Sequence, residues 1–410
     1  MIAPAGYLLR ERGEFGGSDL PILTVVSEYG VRIRDLEAGG RAVSEDLAGY
    51  RRVRQGDLVV NRLWARFGAY GVSEFDGLIS PAYWILQPDS SKVDGRFLHS
   101  LLRSSRYLAE IQRLSKDMPP NGFDLPWDLF KRLHLNLPSL PAQRAIADYL
   151  DAETERIDVL IEKKQGMVKL LEEFHTARVS AQISGGEQVA LSATADDWFP
   201  GLPNGWRVSS VSGVTHAILD GPHTSPTYVE PSEGVPFISV RNISLLGWDL
   251  SSAKYISRTD YETFSRRVKP EIGDVLLTKG GNTGIARVVD LTFDFHVWVH
   301  VAILKVDHSA IRPHFLAAVL NSMPGYAQSQ LGTRGATNQD LVLGRIAKIR
   351  VPLPSLSEQD RIIQMIEDFS VPVRKAALNL SQQIELLREH RQALITAAVT
   401  GELEIPGVAA

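Results

Sequence analysis

Two loops gather cationic, aromatic and amide side chains at a spacing suited to contact with a polyanion. In NRLWARFGAYG (residues 61–71), Arg62 and Arg66 flank Trp64 just after a predicted strand. Its counterpart in the second half of the chain, TKGGNTGIAR (278–287), offers Lys279, Asn282, Thr283 and Arg287. Arginine and lysine suit phosphate oxygens or guanine edges, and asparagine suits adenine edges. A second pair of loops, SKDMPPNGFD (115–124) and GTRGATNQD (332–340), carries Lys116 and Asn121 in one and Arg334, Thr337 and Asn338 in the other. These loops are polar and rich in donors, as expected of ligand contact. Arg241 and Asn242, after the run VPFISV, form a third patch. For each residue the bland alternative is an ordinary solvated connection.

Bond-making chemistry is poorly supported. KGGNTG (279–284) has glycines but lacks the Lys-Ser/Thr of a phosphate-binding loop. No GxGxxG run follows a strand, no HExxH occurs, and no Gly-x-Ser-x-Gly elbow presents a nucleophile. The Asn/Asp-Pro-Pro-Tyr signature of amino-methyltransferases is absent too, SPAYW and MPPNG being the nearest strings. His296 and His300 are expected on one face of a strand around Trp298, a weak metal pair without a third ligand. The chain has no cysteine, which excludes a thiolate metal site, a cysteine nucleophile and a disulfide scaffold.

The elements that must position these loops are written twice. LPSLPAQRAIADYL from Leu137 returns 216 residues later as LPSLSEQDRIIQMI from Leu353. The shift holds without a gap through Leu170, Leu171 and Glu173, which recur as Leu386, Leu387 and Glu389. Upstream the match is looser: YRRVRQGDLVV from Tyr50 resembles SRRVKPEIGDVLL from Ser265. A tandem duplication is the consequence. Its pieces are a globular α+β module at 1–140, a helical segment at 141–185, a second module at 186–357 and a second helical segment at 358–410. Pro372 is expected to restart the second helix, with Asp151 as a cap at the matching point of the first. From there Val373, Ala377, Leu380, Ile384, Leu387, Leu394 and Ala398 form a heptad seam. Neither helix can bury its stripe alone, so an antiparallel pair is expected, placing the two modules in a pseudo-two-fold arrangement. LPNGWRV (202–208) has no counterpart before Met1, so the first module is shorter by about one strand, either as a real asymmetry or because the true start lies upstream.

With its two modules and LLREHRQALITAAVTGEL from Leu386, LPNGWRV and LISPAYWILQP, the chain resembles the specificity subunit of type I restriction-modification systems. The resemblance covers essentially the whole chain. It implies a non-catalytic DNA reader whose two target-recognition domains each read half of a bipartite, asymmetric target in double-stranded DNA. It further implies that the helices act as spacer and docking element for two DNA adenine methyltransferase subunits, with restriction/translocase subunits also in the complex. S-adenosylmethionine and ATP belong to those partners and no cofactor to this chain. A helix over 372–400 is roughly 44 Å long at ~1.5 Å per residue, enough to hold readers about 34–36 Å apart, one turn of duplex. The alternatives are a coiled-coil scaffold, or the recognition part of an autonomous methyltransferase or nuclease.

The charge of −4 over 410 residues argues against a DNA binder if taken whole. Residues 1–140 carry 18 basic and 17 acidic groups and 186–357 carry 15 of each, so the deficit lies on the helical segments. Neutral readers have little counterion-release affinity of their own, which predicts weak binding by the isolated chain. The absence of a membrane-length apolar run and of a signal-peptide pattern makes the cytoplasm the expected compartment.

Overall fold

The computed structural model describes all residues except 18–19, 28, 36–46, 48, 119–121, 187–190, 336–339 and 409–410. The chain forms two compact units, residues 1–163 with 383–410, and residues 164–382. Each unit holds one globular module and half of each long helix (Leu140–Ile183 and Leu356–Thr400). The compact units therefore cut through both helical segments near their middles, where the expected boundaries had kept those segments whole.

In the first unit, a four-stranded antiparallel sheet has the order Leu9–Glu11, Tyr83–Pro88, Leu58–Asn61, Tyr70–Val72. The second unit repeats it as Thr215–Asp220, Val301–Val306, Val275–Thr278, Ala286–Val288. The central strands are apolar at nearly every position and buried on both faces, Leu58, Val59 and Val60 in one and Val275, Leu276 and Leu277 in the other. Such runs read as core strands and not as alternating ones. Two short helices follow each sheet: Gly95–Arg103 and Ser105–Leu114, then Pro313–Asn321 and Met323–Gly332. Asp94 caps the first of them, accepting from the backbone N–H groups of Arg96 and Phe97. The second module adds a mixed sheet in which Val235–Ile238 pairs in parallel with His296–Val297.

The strand that opens the first module has a direct counterpart in the second. Ile2–Pro4 pairs antiparallel with His134–Asn136, and Arg207–Ser210 pairs in the same sense with Arg350–Leu353. The following backbone bonds also correspond: Ala5 N donates to Leu133 O at 2.8 Å, and Val211 N to Ile349 O at 2.9 Å. In the second module the hairpin of Leu191–Ala193 and Gly201–Pro203 precedes this strand. Three residues after Met1 suffice for the pairing because a strand needs backbone donors and acceptors, not the LPNGW turn.

A buried glutamine explains the repeated LPSLxxQ string. Gln143 Nε2 donates to Pro138 O at 3.0 Å and Lys92 O at 3.1 Å, while its Oε1 accepts from Asp94 N at 2.9 Å. Gln359 does the same with Pro354 O, Ala310 O and Arg312 N. Each glutamine ties the beginning of a long helix to the turn before a module helix, and both are almost wholly buried.

Within each unit the two helix halves run antiparallel. In the first, Ile157 and Ile161 pack with Ile384 and Leu387. In the second, Leu171 packs with Val373 and Ala377, the same positions exchanged between copies. Polar seam positions are matched to polar partners: Arg391 pairs with Asp158 at 3.0 Å, and His175 Nε2 lies 2.8 Å from Ser370 Oγ. Burial lowers the His175 pKa, and nearby Arg374 lowers it further. Pro372 does not restart the helix, which runs unbroken through it. A helical proline costs roughly 3 kcal/mol, but Ser370 and Val373 on either side are buried in the seam. Asp151 likewise sits inside its helix, bound to Arg96 at 2.7 Å, and caps nothing.

Candidate nucleic-acid interface

The two predicted loops of each module, some 60 residues apart in sequence, meet in space. In the first module the backbone N–H of Leu125 donates to Arg62 O at 3.1 Å; in the second, Leu341 N donates to Lys279 O at 2.7 Å. A side-chain clasp reinforces each contact. Arg62 forks onto Asp124, with Nε 2.6 Å from Oδ1 and Nη2 3.1 Å from Oδ2. Lys279 Nζ reaches Asp340 Oδ1 at 3.0 Å. Asp124-Leu125 and Asp340-Leu341 recur at the same 216-residue shift, so the repeat itself marks the clasp in the sequence. The clasp recurs at the same place in both copies, as a forked arginine in one and a buried lysine in the other, although the loops around it share almost no residues.

This geometry changes the expected roles of several residues. Lys279 is only 5% exposed and also faces Asp220 at 3.7 Å and Val299 O at 3.4 Å, so its charge serves the fold. Thr283 is buried, its hydroxyl 2.8 Å from that of Thr333. Asn242 is buried too: its Oδ1 accepts from Ser239 N at 2.8 Å and its Nδ2 donates to Asp249 O at 2.8 Å. None of these three presents its side chain at the surface, because each satisfies backbone or side-chain groups that burial would otherwise strand. Asn121, Thr337 and Asn338 lie outside the described residues.

The remaining predicted residues are accessible. Trp64 and Phe67 pack as a tilted pair with centroids 5.4 Å apart, and the Arg66 guanidinium lies 3.6 Å from the Phe123 ring centroid. Gly68, at φ 81°, closes the single helical turn Ala65–Phe67 that holds this cluster. Lys116 is exposed on the neighbouring strand Lys116–Met118. In the second unit Arg334 is exposed, its backbone bonded in both directions to Asp340. Arg241 and Asn282, both exposed, border a cleft of about 1240 Å³. The helix residues Lys169 and Glu172 and the apolar Met323 and Tyr326 complete its walls. Burial raises the Glu172 pKa. The matching cleft of the first unit is far smaller, about 200 Å³, and is lined by Tyr29, Phe67, Arg103 and Arg391 among others.

His296 and His300 do not form a metal pair. The strand ends at Val297, so the two residues do not share a strand face. His296 is buried, with Nε2 2.9 Å from Val268 O and Nδ1 accepting from Val297 N, while His300 is exposed. That pattern makes His296 the Nε2–H tautomer, and burial keeps its pKa low. Among the described residues no cluster of three or more potential metal ligands is found, and no helix is long and apolar enough to cross a membrane.

Paired loops are clasped at matching places on two copies of one sheet, so the globular module is duplicated. Residues 203–386 match the family model of the type I restriction modification DNA specificity domain. Parts of the chain are similar to specificity subunits of type I restriction enzymes. It is 22% identical over 282 residues to the EcoBI specificity subunit of Escherichia coli, covering 66% of this chain and 58% of that one. It is 23% identical over 207 residues to the StySPI subunit of Salmonella potsdam, covering 49% and 44%. The matches thus span about half the length of these curated relatives. A chain from a solved structure concerned with assembly and conformational transition of the type I R-M system shares the fold, with a TM-score of 0.56 and 17% identity over 98% of both chains. The resemblance read from the sequence and the α+β class with two modules and long helices are borne out.

Proposed function

We propose that this chain is the DNA-specificity subunit of a type I restriction-modification complex and makes no covalent bonds itself. Each module reads one half of a bipartite target, and the halves differ because the exposed residues of the two loop pairs differ. The observation that carries this reading is the repeated clasp. It holds two donor-bearing loops together on each module while leaving Trp64, Lys116, Arg241, Asn282 and Arg334 facing solvent. A repeated clasp beneath divergent surface chemistry is what two readers of different sequences require.

Under this reading two adenine methyltransferase subunits dock on the assembly and bring S-adenosylmethionine, restriction subunits bring ATP-driven translocation, and the chain works on DNA in the cytoplasm. The near-neutral modules make high affinity depend on partners that help enclose the duplex. The test is co-expression with candidate methyltransferase subunits followed by mapping of methylated adenines. A split asymmetric motif is expected. Methylation at no defined motif, or methyl transfer by the purified chain alone, overturns the reading.

A further inference from the structure

The first module carries an apolar tip that its fold does not use. Leu63 is 42% exposed, Trp64 57% and Phe67 46%, all within one turn after the strand Leu58–Asn61. The tip is held rigidly. Trp64 N donates to Asn61 O at 3.0 Å, Phe67 N donates to Trp64 O at 2.9 Å, and buried Ala65 anchors the turn beneath. The clasp from Arg62 to Asp124 fixes one side, and Arg66 stacked on Phe123 fixes the other. Positive groups border the apolar group: Arg66 and, on the adjoining strand, Lys116, with Arg62 beside them paired to Asp124. Counted from the clasp residues Arg62 and Lys279, the corresponding places in the second module hold Gly280, Gly281 and Gly284, with no apolar side chain.

A stiff hydrophobic point bordered by positive charge suits duplex DNA, where phosphates meet the cations and apolar side chains enter between base steps. We propose that Leu63 and Trp64 form a wedge that packs onto the bases of one step in the half-site bound by the first module and partly unstacks it. The second module holds its half-site without such a wedge. This rests on the reading of the chain as a DNA-specificity subunit and adds a mode of contact that the two halves do not share.

The test uses the full chain assembled with its methyltransferase subunits and a random duplex pool. Failure of the unaltered assembly to enrich any motif would be a failure of the specificity-subunit reading itself. Given a split motif, Trp64→Ala is expected to weaken binding roughly five- to hundred-fold, the range for one lost base–aromatic stack. It should also blur one position of one half-site and leave the other half unchanged, while Trp64→Phe retains most of the affinity. As a second readout, 2-aminopurine placed through that half-site should brighten at a single step with the unaltered chain and not with Trp64→Ala. Unchanged selection and affinity in Trp64→Ala, or no brightening at any step, overturns the wedge. So does loss of methyltransferase retention with DNA selection intact, which would make the tip a protein contact.

Discussion

Replacing Lys279 with methionine tests whether the clasp is a structural device or a DNA contact. The ammonium is 5% exposed and lies 3.0 Å from Asp340 and 3.7 Å from Asp220. Removing one partner of a buried pair costs about 3–5 kcal/mol when the remaining charge is stranded. Here the stranding is partial. The Asp340 side chain is 38% exposed, and Asp220 keeps Arg267 at 2.9 Å. The expected loss is therefore about 2–3 kcal/mol, which lowers the melting transition of the second unit by roughly 4–12 °C. Arg62→Met breaks a pair that is 42% and 19% exposed and is expected to cost only about 1 kcal/mol. Calorimetry together with urea unfolding would measure both. Adding Asp340→Asn to Lys279→Met should recover part of the loss, since the unpaired carboxylate is then gone. A Lys279→Met protein as stable as the unaltered chain, or no more affected than Arg62→Met, would refute the structural role and return Lys279 to the DNA surface.

Three further outcomes follow from the same geometry. Lys116→Ala, Arg241→Ala and Arg334→Ala should each reduce the slope of log affinity against log salt by about one, whereas Lys279→Met should leave it unchanged; a salt titration of DNA binding by the assembled complex reads this. Gln359→Leu leaves Arg312 N–H and two carbonyls without their partner and should cost about 2 kcal/mol of the second unit's stability by urea unfolding, with Gln143→Leu doing the same to the first unit. His99 is pushed down to about 3 by burial, with Arg103, Arg391 and Arg32 adding like charge, and its Nδ1 accepts from Val72 N at 3.2 Å. Because the folded pKa lies below the unfolded value of about 6.5, the stability from neutral His99 is complete above that pH and is lost as pH falls toward 3. At pH 5 the loss is about 1–2 kcal/mol, and a His99→Asn variant that keeps the same acid sensitivity would contradict this origin.

The duplication, the sheet-forming runs and the long helices were legible because they are local or repeated patterns. An ungapped 216-residue shift needs no tertiary information, and the apolar runs around Leu58 and Val275 announce core strands directly. The seam was legible as periodicity, yet its polar positions were not. His175 and Arg391 make sense only when Ser370 and Asp158 stand opposite them across the helix pair. Pro372 misled because a proline is a strong local signal, and packing on both sides of it outweighs the lost hydrogen bond.

For the site, the sequence by itself determined which loops are candidates and which residue types they carry. Only the tertiary structure decided which of those residues remain available. Burial converts Lys279, Thr283 and Asn242 from candidate contacts into fold-holding groups, because a polar atom withdrawn from water must find its partner inside the protein. The same folding brings residues 62–67 beside 123–125 and leaves Leu63, Trp64 and Phe67 in solvent. Donors can be counted along a chain, but whether a donor faces water or a buried carboxylate depends on residues far away in sequence, as Asp340 is from Lys279.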